Sequence, residues 1–171
     1  MEKGTLLLVD ISNYTNFINK TNLVHSKEVI RIIMNSLIKK KSKKLRLNKI
    51  EGDALFFYSK KIKKHDLIKI SKSLYREFHS SIIKIKKKHQ ICPFCKNLEK
   101  LNIKFIVHDG EFICYKIGNF EEIIGTPVIE AHRLLKNNIK RKAYILITDK
   151  KGKRRIKYKN LGEICYNIIH L

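Results

Sequence analysis

Asp10 ends an apolar run, Leu6-Leu7-Leu8-Val9, and Asp53 closes Glu51-Gly52-Asp53, a turn between two strand-like stretches. Two carboxylates at close range repel unless a cation neutralises them. Asp side chains beside a backbone carbonyl suit a hard ion such as Mg²⁺, which keeps waters and substrate phosphates as its other ligands. Two such ions can activate an attacking hydroxyl and hold a leaving pyrophosphate. Taken singly, Asp10 is an ordinary cap and Asp53 an ordinary turn residue, so the metal reading needs both in one place. Cys92-x-x-Cys95, with His89 three positions upstream, is a second ligand-type group. Structural zinc needs about four ligands, and Cys114 and Cys165 fall in predicted strands as core residues. Zinc at Cys92/Cys95 is therefore not expected, and a plain loop is preferred to a zinc or redox pair. His108 and His132 are expected to be structural, with no paired acid in view.

The elements must bring the aspartates together. Residues 5–9 form a short, continuous apolar strand. Residues 11–22 look polar and irregular. A helix is predicted over about 26–44, with Val29, Ile30, Ile33 and Leu37 at helical spacing, and another over about 66–87, with Leu67, Ile70, Leu74, Phe78 and Ile82. Strands at 45–50 and 54–58 flank Gly52, and strands at 103–108 and 112–117 flank Asp109-Gly110, both as hairpins. Pro127 suits the first turn of a third helix reaching about residue 136. Strands at 143–148 and 163–169 close the chain. This order gives an α+β fold with a ferredoxin-like βαββαβ sheet and helices on one face. In that topology the third strand lies between the first two, antiparallel to both, so Asp10 and Asp53 meet at one sheet edge.

Four segments resemble class III adenylate/guanylate cyclases. Asp10-Ile11-Ser12-Asn13-Tyr14-Thr15 resembles their Asp-Ile-x-Gly-Phe-Thr motif, and Lys49-Ile50-Glu51-Gly52-Asp53-Ala54 their Lys-x-x-Gly-Asp segment. Ile106-Val107-His108-Asp109-Gly110 is similar to their Ile-His-x-Gly hairpin. Gly125-Thr126-Pro127-Val128-Ile129-Glu130-Ala131-His132-Arg133-Leu134 is similar to their Gly-x-x-Val-Asn-x-Ala-x-Arg helix. The four occur in the family's order and cover most of the chain. Ala131-His132-Arg133-Leu134-Leu135-Lys136-Asn137, and a cysteine-containing insert at about 89–99, also resemble a group of uncharacterised bacterial cyclase-like proteins.

The resemblance implies a class III nucleotide cyclase type of fold and two Mg²⁺ or Mn²⁺ ions held by Asp10, Asp53 and the Ile11 carbonyl. It assigns the amides of Ile11, Ser12, Asn13, Tyr14 and Thr15 to the triphosphate, Lys49 to the base, and Arg133 to charge developing on the α-phosphate. Lys159 matches a late phosphate-binding lysine. Glu122 stands at a second base-reading position, where the family often has Asp. Asn13 replaces a loop Gly, a mild change because Asn tolerates left-handed angles. Ile129 replaces the Asn that orients the ribose and can donate no hydrogen bond. The family pairs two chains head to tail, so a homodimer with shared sites is implied. The implied function is metal-dependent binding of a nucleoside triphosphate, with cyclisation to a 3′,5′-cyclic nucleotide and release of pyrophosphate. The alternative is a catalytically inactive nucleotide-sensing or dimerising module.

Composition sets outer bounds. The 171 residues suffice for one domain, expected over 1–171. With 38 basic residues against 15 acidic, the formal net charge of +23 favours anionic partners. Lys supplies 31 of the basic residues and Arg 7, whereas dedicated phosphate readers favour the planar fork of Arg. The basic runs lack interleaved aromatics, so a nucleic-acid partner ranks third and solvated faces are the default. No stretch reaches the ~18 apolar residues of a membrane span. Four cysteines do not make a disulfide scaffold, and a cytoplasmic setting with reduced thiols is expected.

Overall fold

A central strand decides the architecture. β1 (Glu2–Ser12) holds Leu6, Leu7, Leu8 and Val9 at 1% exposure or less. A strand apolar on both faces stays dry only when helices or loops cover both faces. β1 is flanked by β3 (Ala54–Ser59) and β4 (Asn102–Ile117), antiparallel to each. The computed structural model describes residues 2–88 and 93–171. The other strands are β2 (Arg46–Glu51), β5 (Phe120–Ile124), β6 (Tyr144–Thr148), β7 (Arg154–Tyr158) and β8 (Gly162–His170). The sheet order is β2-β3-β1-β4-β6-β8-β7, with β5 paired to β4 beyond the main path. Strand β3 lies between β2 and β1 and is antiparallel to both, the ferredoxin-like arrangement expected from the chain order.

Alternation along β1 divides the core in two. Leu7, Val9 and Ile11 pack with α2 (Leu23–Lys40) and α3 (Lys64–Lys88). Val29, Ile33 and Leu37 of α2, and Leu67, Leu74, Phe78 and Ile82 of α3, supply the inward stripes. The Asn22 side chain caps α2 by accepting from the Val24 and His25 amides at 3.0 and 3.3 Å. Leu6 and Leu8 point the other way, toward Phe56, Tyr58, Ile106 and the Ala131 and Leu134 side of α4 (Thr126–Leu135). The expectation of helices on one face holds for α2 and α3. The last helix covers the opposite face, because the parallel step from β4 to β6 needs a crossover and the first face is already filled.

Three local expectations are corrected. Within 11–22, β1 continues to Ser12 and a short helix α1 (Tyr14–Asn19) follows, its Phe17 buried in the core. Asp109-Gly110 is no hairpin. All of β1 pairs with Asn102–Phe112 of β4, so Asp109 and Gly110 stay in the ladder opposite Thr5 and Gly4. The turn comes instead at Gly118 (φ +57°), which joins β4 to β5. Strand β7 went unpredicted because it is an exposed, charged edge strand without an apolar run.

Gly110 is required for packing rather than turning. A Cβ there would lie 2.0 Å from Cγ of Pro127, in the first turn of α4. Gly110→Ala should push α4 from the sheet and lower stability by about 1–3 kcal/mol, measurable as a lower urea midpoint with unchanged slope.

Candidate functional site

The register brings Asp10 opposite Ala54, the residue after Asp53. Gly52 adopts φ +60° in the β2–β3 turn, and the Ile11 amide donates to the Asp53 carbonyl at 3.2 Å. The two aspartates are therefore tied through backbone at one sheet edge. Burial pushes the Asp10 carboxyl above its usual range; Lys104 opposes this and the Asp53 charge adds to it. Burial likewise raises Asp53, again opposed by Lys104. Lys104, opposite Asp10 on β4, sits with Nζ 3.5 Å from Oδ1 of Asp10 and 3.3 Å from the Leu135 carbonyl. One lysine leaves the acid pair under-compensated, which is the chemistry that a divalent cation corrects. The Ile11 side chain is 2% exposed within the core, so only its backbone can serve the site.

The loop after Asp10 is shaped by its own residues. Asn13 takes φ 67°, ψ 15°, a left-handed conformation, and leads into α1. Its side-chain amide donates to the Lys100 carbonyl. Ser12 Oγ donates to the Lys142 carbonyl at 2.9 Å, Tyr14 packs on the core, and Thr15 is exposed.

Lys49 and Glu122 meet across 73 positions. Nζ of Lys49 lies 2.8 Å from Oε2 of Glu122 and 3.9 Å from Glu51. This pair bridges β2 to β5. Arg133 and Lys159 are both exposed, on α4 and in the β7–β8 turn. Their elements are linked, since Tyr158 donates its hydroxyl hydrogen to the Arg133 carbonyl at 2.9 Å. Ile129 is 53% exposed on α4 and takes no part in the core.

Two histidines have the acids that the sequence did not reveal. His108 is buried between Thr148 Oγ1 at 2.7 Å and Glu130 Oε2 at 2.8 Å, and burial holds its pKa below the usual value, with Glu130 pulling the other way. His132 Nδ1 lies 3.5 Å from Glu51, and its ring meets Phe56 edge-on. Lys104 and Glu130 are the site residues that sequence reasoning missed. Only the strand register (for Lys104) and the α4 packing (for Glu130) reveal them. Cys114 and Cys165, expected in the core, are half-buried on β4 and β8. His89 and Cys92 lie outside the described residues.

The fold is that of the class III adenylyl and guanylyl cyclases. The guanylyl cyclase Cya2 superimposes with a TM-score of 0.79 at 13% identity, over 96% of this chain and 90% of that one. The adenylyl cyclase CyaB from P. aeruginosa gives 0.71 at 17% identity, over 99% and 95%. In sequence, the chain belongs to the family described as "Protein of unknown function (DUF2652)", which matches residues 30–144. The "Uncharacterized protein Rv2561/Rv2562" of Mycobacterium tuberculosis is 34% identical over 110 residues, covering 63% of this chain and 52% of that protein. The chain thus spans about half the length of this curated relative. No helix among the described residues is long and apolar enough to cross a membrane.

A raised carboxyl pKa means that folding is penalised once pH climbs through it. In the metal-free protein, Asp53→Asn should therefore raise stability at pH 7, by no more than about 1 kcal/mol given its partial exposure. The gain should fade as pH drops and vanish below about pH 3, where the carboxyl is protonated in both folded and unfolded chains. Denaturant titrations at both pH values check this.

Proposed function

We propose that this chain, as a homodimer, binds a nucleoside triphosphate with divalent metal and converts it slowly to a 3′,5′-cyclic nucleotide. The observation that carries this reading is the backbone bond between Ile11 and Asp53, which holds two under-neutralised carboxylates at the edge of a cyclase-type sheet. Asp10, Asp53 and the Ile11 carbonyl would hold Mg²⁺ or Mn²⁺, which would supply Lewis-acid activation and charge neutralisation there.

The chain's own groups do the rest. The amides of residues 12–15 receive the triphosphate, with Asn13 fixing the loop, whereas the Ile11 amide, which the resemblance also assigned to the phosphates, is already donated to the Asp53 carbonyl. Lys49 donates to the base, and Glu122 orients that lysine and accepts from an exocyclic amine. The substrate's 3′-oxygen forms a bond to the α-phosphorus as the bond from that phosphorus to the β-phosphate bridging oxygen breaks. Pyrophosphate leaves with the electron pair, and the hydroxyl proton passes to solvent. Arg133, an exposed cation on α4, stabilises the charge on the α-phosphate, with Lys159 aiding the phosphate chain.

The dimer has a physical basis on one face of the β4–β5 hairpin. Residues directly opposite in an antiparallel pair share a face. Ile113 faces Ile124, Tyr115 faces Glu122, and Ile117 faces Phe120. All five apolar members are at least 40% exposed, with Phe120 at 75%. Such a stripe, with a base-reading candidate at its centre, is suited to cover by a second copy. Phe120→Glu should convert dimer to monomer in sedimentation and remove turnover, leaving the circular dichroism spectrum unchanged.

Ile129 favours a second reading, a nucleotide-binding module without turnover, since an apolar side chain offers nothing to the ribose. Incubation with each triphosphate and Mn²⁺ or Mg²⁺ separates the two. The expected result is a weak cyclic product, abolished by Asp10→Asn and raised about 100-fold by Ile129→Asn, which restores one positioned donor. Nucleotide binding without product in both the native chain and Ile129→Asn would establish the second reading.

A further inference from the structure

We propose that the cavity between the loop preceding β2 and the end of β3 binds a compact phosphate anion, either pyrophosphate or the terminal phosphates of a larger molecule. The cavity has a volume of about 260 Å³, and five of its seven lining residues, Lys43, Lys44, Arg46, Lys60 and Lys61, are cationic. The other two are Tyr58 and Ser59, so no acidic side chain lines it among the described residues. Basic residues number 38 in 171 over the whole chain, so five in seven exceeds the general lysine bias. The volume falls below the ~300–1,000 Å³ of pockets that enclose drug-sized ligands, which suits an anionic end group rather than a whole nucleotide.

The fold gathers these charges from separate stretches and fixes their backbone. Ser59 is 2% exposed; its hydroxyl donates to the Lys44 carbonyl at 2.8 Å and accepts from the Lys61 and Ile62 amides at 3.1 Å each. Thr5 on β1, also buried, donates to the Ile62 carbonyl at 2.7 Å. Leu45, buried in the core, anchors the first stretch between Lys44 and Arg46. One buried hydroxyl therefore ties the Lys43-Lys44 loop to Lys60-Lys61. Arg46 stands opposite Tyr58 in the β2–β3 ladder. The charged ends stay exposed and free to close on a ligand.

The acids nearby neutralise only part of this charge. Lys60 pairs with Glu2, and Arg46 approaches Glu121 at 4.0 Å while the Tyr58 hydroxyl also donates to Glu121. Lys43, Lys44 and Lys61 have no ion-pair partner among the described residues. Like charges held on a fixed frame repel, and a multiply charged anion offsets that repulsion. The guanidinium of Arg46 offers a planar fork for two oxygens, and each lysine adds a point charge with three donors. A single carboxylate has too few oxygens for this donor set, whereas linked phosphates have enough.

The cavity lies at the far end of the β2–β3 hairpin from Asp53. Ala54 to Ser59 is five residue steps, roughly 17 Å at ~3.3 Å per residue. It shares no residue with the carboxylate pair and needs no metal, so it stands apart from the nucleotide reading.

The test is calorimetric titration of the full chain with sodium pyrophosphate in EDTA, which keeps divalent metal from the carboxylates. The expected result is saturable binding of about one pyrophosphate per chain, weakened about 10-fold or more in Arg46→Ala and in the double variant Lys44→Glu, Lys61→Glu. The double variant Lys84→Glu, Lys87→Glu reverses as many charges on the exposed side of α3 and should bind as the native chain does. Competition by a nucleoside triphosphate in EDTA would identify the ligand as the end of a larger molecule; binding of pyrophosphate alone would identify a free anion. No saturable pyrophosphate binding up to about 1 mM, undiminished binding in both cavity variants, or an equal loss in the α3 variant would overturn the site.

Discussion

The ladder between β1 and its two antiparallel neighbours is the constraint from which the rest follows. An apolar strand buried on both faces must sit in mid-sheet, and its first polar residue, Asp10, then emerges at the sheet edge. The β2–β3 turn delivers Asp53 to the same edge, and Lys104 arrives on β4. Three charged groups are thereby gathered where water is scarce. The carboxyls respond by holding their protons more tightly. That cost is borne by the fold, and the Lys104 charge relieves part of it.

The second face of the sheet has a different task. α4 packs there through Ala131 and Leu134, leaving Arg133 and Ile129 outward. His108 joins that helix to β6 by bridging Glu130 and Thr148. Beside it, the β4–β5 hairpin projects an apolar stripe containing Glu122, which grips Lys49 on β2. Hairpin and Lys49–Glu122 pair are thus linked by short contacts, so the geometry of one bears on the other.

Much of the local geometry of the candidate site was legible in the residues themselves. The terminating aspartate, the glycine turn before Asp53 and the tolerance of Asn13 for a left-handed angle follow from local chemistry. The errors also have local causes. Asp109-Gly110 carries a hairpin signature, yet the long partner strand keeps it in the ladder, and Gly110 is small because Pro127 presses on it. The helix at 14–19 hides in a polar stretch, because it is short and Phe17 is its one fully buried residue, with Tyr14 and Ile18 only partly buried.

Alternating and helical periodicities, set by backbone geometry, determined from sequence alone the long helices and strands β1, β2, β3, β6 and β8 in their order, but not β5, β7 or the continuity of β4. They also determined that β3 separates β2 from β1, since chain order and short connections leave few topologies. Tertiary structure alone decided the partners: Lys104 for Asp10, Glu122 for Lys49, Glu130 for His108, and His25 for Cys95. Each of these pairs spans 22 to 94 positions. No local pattern encodes such a distance, because strand register and helix packing are settled only when the whole core closes.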